Sequence, residues 1–279
     1  MDLLRLGTVV ITGAAAGTSH IYSSEHCDQG DDQLTDSMFS DAESVIACLF
    51  AQYGCKQIYL GGSRTATLDE CRRKILAVHP SVQVFVRKLD QSDEGDVDTF
   101  FASVVQSFTR IDFAVNLVCQ DREPQATVDI SAEDYARSYT VYQRGAFLIQ
   151  RALLRQLLKQ EMLPGFGSRG SIVNVVELGA TASLADRPLA AAVANAIVGL
   201  SKTDAFDYAT DAIRINCIAA DEALKLQKGI GVGEKALLRS MEGMRSVANA
   251  TAWLSSPGSG WLTGLVVPVD KGRNLNCVW

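Results

Sequence analysis

Short apolar runs rich in Val and Ile recur along this chain at Gly7 to Thr12, Gln57 to Gly61, Ser81 to Arg87, Ile111 to Val118, Ser171 to Val176, Arg214 to Ala219 and Gly264 to Val269. Between them, apolar residues return every three to four positions over Ser44 to Tyr53, Thr67 to Val78, Asp96 to Phe108, Ala132 to Leu158, Ala190 to Asp211 and Val247 to Leu254. Short continuous apolar runs predict strands, and the longer period predicts helices. Their alternation predicts an α/β chain with a parallel sheet covered by helices on both faces. That is a doubly wound architecture in a single domain over 1–279, with its ligand crevice at the carboxyl ends of the strands. No Pro-rich or Ser-rich linker and no internal repeat divides the sequence.

Composition narrows the partners. At 279 residues, 47% hydrophobic and 21% charged, the chain is long enough for one large core. A formal charge of -6 provides no basic footprint, so neither nucleic acid nor an anionic membrane is expected as a partner. The start, Met1-Asp2-Leu3-Leu4-Arg5-Leu6, lacks a basic leader, and the apolar run Thr8 to Ala16 contains Thr12 and Gly13. It reads as a first strand of a cytoplasmic protein. The seven cysteines are an odd number and form no C-x-x-C pair, which indicates neither a disulfide framework nor a zinc site.

Ordered landmarks then make the reading specific. They are Thr12-Gly13-Ala14-Ala15-Ala16-Gly17 after the first strand, Leu89-Asp90 after the third, and Arg110-Ile111-Asp112 leading into Val115-Asn116. Gly170-Ser171-Ile172-Val173-Asn174-Val175, Arg214-Ile215-Asn216-Cys217-Ile218, Leu262-Thr263-Gly264 and Val269-Asp270-Lys271-Gly272 follow. In order and spacing these resemble the short-chain dehydrogenase/reductase family over nearly the whole chain, which implies a Rossmann-like sheet and hydride chemistry. The family's catalytic Asn, Ser, Tyr and Lys fall by this resemblance on Tyr142, Glu177, Ala190 and Ala194. Alanine can neither pass a proton nor grip a ribose, so the family's proton relay is expected to be missing.

The resemblance also marks a cofactor side made of Gly13, Ala15, Gly17, Ser63, Arg64, Asp90 and Asn116. An acidic residue after the second strand would select NAD; here Leu60-Gly61-Gly62-Ser63-Arg64 offers a hydroxyl and a guanidinium that suit a 2'-phosphate, so NADP(H) is expected. A solvated Arg64 at a helix start is the plainer alternative. Leu117-Val118-Cys119 adds bulk where the family backbone passes close to the cofactor.

An acidic segment at 17–40 interrupts the glycine turn, with Glu25, Asp28, Asp31, Asp32 and Asp36 and no Lys or Arg. Removing it restores the family register, with Thr12-Gly13-Ala14-Ala15-Ala16 running into Asp41-Ala42-Glu43. Three readings stay open: a retained intron, a disordered acidic loop, and a metal site from His20, His26 and Cys27.

For chemistry, Glu177, Asp186 and Arg122 lie on loops or strand ends that converge on the family's substrate mouth. A carboxylate there suits a cationic substrate, and an arginine can polarise a carbonyl. Asp221 to Leu238, with Gly229, Gly231 and Gly233, reads as a mobile lid. The missing relay, altered turn and acidic loop are similar to a fungal branch of the family, the malbrancheamide and paraherquamide enzymes of indole-alkaloid pathways. That similarity implies NADPH-dependent iminium reduction and Diels-Alder closure of a hydrophobic, nitrogen-containing substrate. The alternatives are a catalytically inactive partner subunit and a carbonyl reductase with relocated acid-base groups. The family also implies a homo-oligomer joined through the helices at 132–158 and 190–211.

Overall fold

The structure is a computed structural model that describes residues 4, 7–13, 36–120, 124–182, 185–220 and 234–272, with the backbone alone described at 36–41 and 234–241. Seven parallel strands form one sheet: β1 (Thr8–Thr12), β2 (Gln57–Gly62), β3 (Gln83–Lys88), β4 (Phe113–Val118), β5 (Gly170–Glu177), β6 (Ile213–Ala220) and β7 (Val266–Val269). Their order is β3-β2-β1-β4-β5-β6-β7, so the winding reverses between β1 and β4 and opens a crevice beyond their carboxyl ends. β4, β5 and β6 are buried along their whole length. A strand covered on both faces needs an unbroken apolar run, which is why these segments read as runs rather than as alternations.

Alternate residues of each strand feed different helical layers. Val9 and Ile11 of β1 pack with Ile46, Ala47 and Phe50 of α1 (Asp36–Gln52), Leu68, Cys71 and Ile75 of α2 (Thr65–Val78), and Val247, Ala248 and Ala252 of α7 (Glu234–Ser255). Val10 faces the other way, toward Val97, Phe100 and Val104 of α3 (Glu94–Phe108) and Leu148, Ile149 and Ala152 of α5 (Gly145–Leu157). The two-residue period of a strand accounts for this division.

Local signals fix the helix ends. Asp93 accepts the Asp96 N–H at 2.8 Å at the start of α3, and Ser131 accepts the Asp134 N–H at 3.0 Å at the start of α4 (Ala132–Ser138). Each supplies an acceptor for an orphan donor of the first turn. Pro188 opens α6 (Pro188–Asp207), where its lack of an N–H costs nothing.

Three segments differ from the sequence expectation; the last is α7, which begins at Glu234 rather than at Val247 and so takes in the end of the expected lid. The long helix expected over 132–158 is α4, a π-helical turn over Tyr139–Arg144, and α5. The wide turn displaces carbonyls, and the Gln91 Nε2 donates to the Val141 carbonyl at 3.0 Å. The first helix begins at Asp36 rather than after Ser40, so the end of the acidic segment is helical. The rest of that segment, with His20, His26 and Cys27, lies outside the described residues, as does most of the expected lid.

Arg214 ties the last helix to the sheet. It is buried, and its guanidinium donates to the carbonyls of Leu254 (2.7 Å), Ser255 (3.1 Å), Ser256 (3.3 Å) and Ser259 (3.2 Å). The first two end α7, and the other two belong to the turn that follows it. Burial lowers the Arg214 pKa to about 10, which leaves it cationic at neutral pH. Arg214→Met is expected to remove these charge-assisted bonds and to destabilise the protein by about 3 kcal/mol, read as a lower midpoint in urea unfolding with an unchanged slope.

Candidate functional site

The crevice has a dinucleotide-like side built on β1, β2 and β3. Gly13 turns the chain after β1 with φ +93°, and a Cβ there would meet the Leu117 carbonyl oxygen at 2.1 Å. Only glycine fits both the dihedral and the space. Ser63 and Arg64 leave β2 half-buried, and Arg64 sits at the N-cap position of α2. Arg87 and Lys88 of β3 pair in register with Gly61 and Gly62, and as successive strand residues they face opposite sides of the sheet. Gly13, Ser63 and Arg64 fit a phosphate-bearing dinucleotide: a glycine turn without a side chain, then a hydroxyl and a guanidinium.

Asp90 and Asn116 are placed at this edge with other duties. The Asp90 Oδ1 accepts from the Ser92 N–H (2.9 Å) and the Ser92 hydroxyl (2.6 Å), which fixes the loop after β3. Asn116 is fully buried; its Oδ1 accepts from the Thr12 hydroxyl at 3.2 Å and its Nδ2 donates to the Asn174 Oδ1 at 3.3 Å. It supports the crevice from beneath. Ala15 and Gly17 lie outside the described residues.

Glu43, in the position of the third motif glycine once the acidic segment is removed, is fully buried on the sheet-facing stripe of α1. Its Oε2 lies 4.0 Å from the Cys71 sulfur, and burial pushes its pKa up to about 8. The folded value lies above the unfolded one, so the neutral acid's contribution is complete below about 4.5 and is lost as pH rises through about 8. Glu43→Gln is expected to flatten this dependence, gaining up to about 4 kcal/mol over the parent at pH 8 and nothing near pH 4. Denaturant midpoints of both proteins across that range check it.

On the substrate side, Glu177 ends β5 and is buried, and its Oε1 accepts the Gln120 N–H at 2.7 Å. Gln120, also buried, donates from Nε2 to the Ser138 hydroxyl at 2.8 Å. A small pocket opens above it, lined by Gln120, Gln125, Asp186, Leu189 and Ala190 among others. Asp186 is exposed at the rim with φ +53°, and its carbonyl accepts the Gln125 N–H at 2.7 Å. Asp186 thus lines the pocket, Glu177 lies buried behind it on the Gln120 backbone, and Arg122 lies outside the described residues. Gln120 was not among the sequence candidates. Its only sequence signal is its place just beyond β4.

Beside the pocket the environment turns apolar. Tyr142, on the π-helical turn, and Ala194, on α6, are buried with Val118, Val176, Leu178 and Ile197. Ala190 is buried as well and reaches the pocket wall. The Asn195 Nδ2 donates to the Gly179 carbonyl at 2.9 Å, holding the turn after β5 against α6.

Strand order and crevice define a doubly wound protein of the dinucleotide-binding kind, and comparison with known proteins sharpens the class. A family model described as enoyl-(acyl carrier protein) reductase matches residues 44–274. The chain is 30% identical over 255 residues to the short-chain dehydrogenase fogB of Aspergillus ruber, covering 83% of this chain and 92% of that one. It is 29% identical over 274 residues to the short-chain dehydrogenase srdC of Neurospora crassa, covering 87% and 98%. Levodione reductase shares the fold with a TM-score of 0.77 at 22% identity, covering 98% of this chain and 100% of that one. The chain belongs to the short-chain dehydrogenase/reductase family, and it is an oxidoreductase of the kind that works with a nicotinamide cofactor. No helix among the described residues is long and apolar enough to cross a membrane.

The Glu177 contact can be tested by two substitutions. Glu177→Leu leaves the buried Gln120 N–H without its acceptor and is expected to cost about 2 kcal/mol. Glu177→Gln keeps an oxygen there and stays within about 1 kcal/mol of the parent, both read by equilibrium unfolding.

Proposed function

We propose that this chain is an NADP(H)-dependent reductase that works without the family's tyrosine–lysine proton relay, on a hydrophobic substrate carrying a cationic nitrogen. The observation that carries this reading is the apolar enclosure of Tyr142 and Ala194, with Ala190 on the wall of a pocket that has Asp186 at its rim. A site that must protonate an alkoxide needs an acid at that wall, and alanine offers none. Reduction of an iminium carbon needs a hydride and no proton on nitrogen, so this wall is compatible with it.

Each group then has a bounded task. Gly13 leaves room for the backbone turn, and Ser63 with Arg64 would hold the 2'-phosphate. The bound nicotinamide supplies the hydride. Asp186 at the rim and Glu177 below it favour a positive substrate electrostatically, and the apolar cluster excludes water. Arg122 would complete this rim. Ring closure of the Diels-Alder type asks only that the same walls hold a folded substrate, and the similarity to the fungal alkaloid enzymes motivates it.

Two neighbouring readings belong to the same proposal. The family match starts at residue 44, beyond the acidic segment, which supports its removal from the working protein; a transcript that keeps codons 17–40 would argue against this. The outward face of α6 exposes Asn195, Gly199, Thr203 and Phe206. Such small residues beside an exposed aromatic suit close packing with a second copy of the chain.

Ligand-dependent melting provides the direct test, because a ligand that binds only the folded state raises its midpoint. NADPH is expected to raise the midpoint more than NADH does, and Arg64→Ala is expected to weaken NADPH about tenfold while leaving NADH unchanged. With NADPH, a cyclic iminium should turn over and the matching ketone should not. Absence of any midpoint shift, or ketone reduction at a comparable rate, refutes the proposal.

A further inference from the structure

A single row of side chains crosses the middle of the sheet beneath the crevice. Thr12, Asn116, Asn174 and Cys217 face one another in register on β1, β4, β5 and β6. From Asn174 the row leaves the sheet: its Nδ2 donates to the Gln150 Oε1 of α5 at 2.7 Å and to the Ser201 hydroxyl of α6 at 2.9 Å. Gln150 in turn donates from Nε2 to the Asp204 Oδ2 at 2.7 Å. Asn116, Asn174, Gln150 and Ser201 are all buried, and Asp204 is half-buried on the outer part of α6.

The direction of every bond in this row follows from its last member. A carboxylate only accepts, so Gln150 must turn its amide nitrogen toward Asp204 and its oxygen toward Asn174. Asn174 must then present its nitrogen to Gln150, which leaves its oxygen for the Asn116 nitrogen. Asn116 is left with its oxygen toward the Thr12 hydroxyl, as observed. Without a charged acceptor at the end, amides can reverse end for end at little cost.

We propose that Asp204 is a positioning residue: from the outside of α6 it fixes, through Gln150 and Asn174, the orientation of Asn116 and Thr12 under the dinucleotide crevice. Burial raises the Asp204 pKa against the opposing Gln150 hydrogen bond, with a smaller raising effect from Asp207. Keeping a charge at such a place costs stability, so its return is sought in orientation. The functional half of this inference rests on the dinucleotide reading; the structural half does not.

The test labels asparagine and glutamine side-chain amides with 15N and follows them in Asp204→Leu, Asp204→Asn and Gln150→Met. Asp204→Leu and Gln150→Met are expected to shift the Asn174 and Asn116 NH2 signals together while the backbone signals of β4 and β5 hold. Asp204→Asn, which keeps an acceptor oxygen, should restore most of the parent pattern. NADPH affinity, by calorimetry on the same proteins, should fall about fivefold in Asp204→Leu and recover in Asp204→Asn. An Asn116 signal that ignores both cuts overturns the proposal, even if NADPH affinity falls. Where the amides respond and the parent protein binds no NADPH, the positioning stands and the dinucleotide reading fails. If Asp204→Leu does not fold, Gln150→Met gives the same decision.

Discussion

The central constraint is that polar amides lie buried in the middle of a sheet, away from solvent. Asn116 lies on β4 at the edge of the crevice and Asn174 on the neighbouring β5, and both are fully buried. An unmet amide at such a depth costs about 1 to 3 kcal/mol, comparable to the gain from burying a large apolar side chain. The structure meets the constraint by chaining them, so that Thr12, Asn116, Asn174, Ser201 and Gln150 each find a partner. Strand register has to be correct at every step, because a slip of one residue would turn an amide to the opposite face. The polar row therefore specifies the alignment of β1, β4 and β5 in a way that the surrounding Val and Ile residues cannot.

With the strands aligned, the crevice geometry follows. β1 and β4 end side by side at the point where the winding reverses, and Gly13 lies against the Leu117 carbonyl there. Charge is distributed unequally around this opening. Arg64 lies just beyond the end of β2, while Glu177 ends β5 and Asp186 lies at the rim of the pocket beside it. In the proposed function an anionic cofactor phosphate and a cationic substrate would then meet opposite charges at different ends of one groove. Arg214 plays a parallel structural part at the opposite edge, where a single cation holds the carboxyl end of α7 against β6.

How much of this was legible in the sequence depends on the range of the interaction involved. The seven strands were readable because parallel, doubly covered strands leave short continuous apolar runs, and Gln57–Gly62 and Phe113–Val118 show this directly. The π-helical turn at Tyr139–Arg144 was not, since a widened turn leaves the apolar period nearly unchanged. Glu177 and Asp186 could be placed by their order along the chain, but Gln120 could not. Its role comes from a backbone N–H that any residue but proline carries, together with contacts to Ser138 and Leu189 from distant segments. The early start of α1 was hidden for another reason: Asp36 to Ser40 read as the end of a polar insertion, with no apolar period to mark a helix.

If the resemblance that sets the family's tyrosine and lysine at Ala190 and Ala194 holds, these alanines bear on the proposed chemistry through what surrounds them. Had the relay decayed in place, a polar hollow facing mobile side chains would be expected. Instead Ala194 is packed with Ile197, Val198, Leu178 and Tyr142, so the vacated volume is filled by apolar side chains. A close-packed apolar wall lowers the local dielectric and strengthens the pull of a nearby carboxylate on a positive charge. The substitution that removes proton transfer thus makes the same wall better suited to a desolvated cation, provided that a carboxylate stays at hand. In the proposed reading that carboxylate is Asp186 at the pocket rim, with Glu177 buried behind the wall and held by the Gln120 N–H. An apolar wall beside an acidic rim is one physical arrangement, and it suits a cation better than an alkoxide.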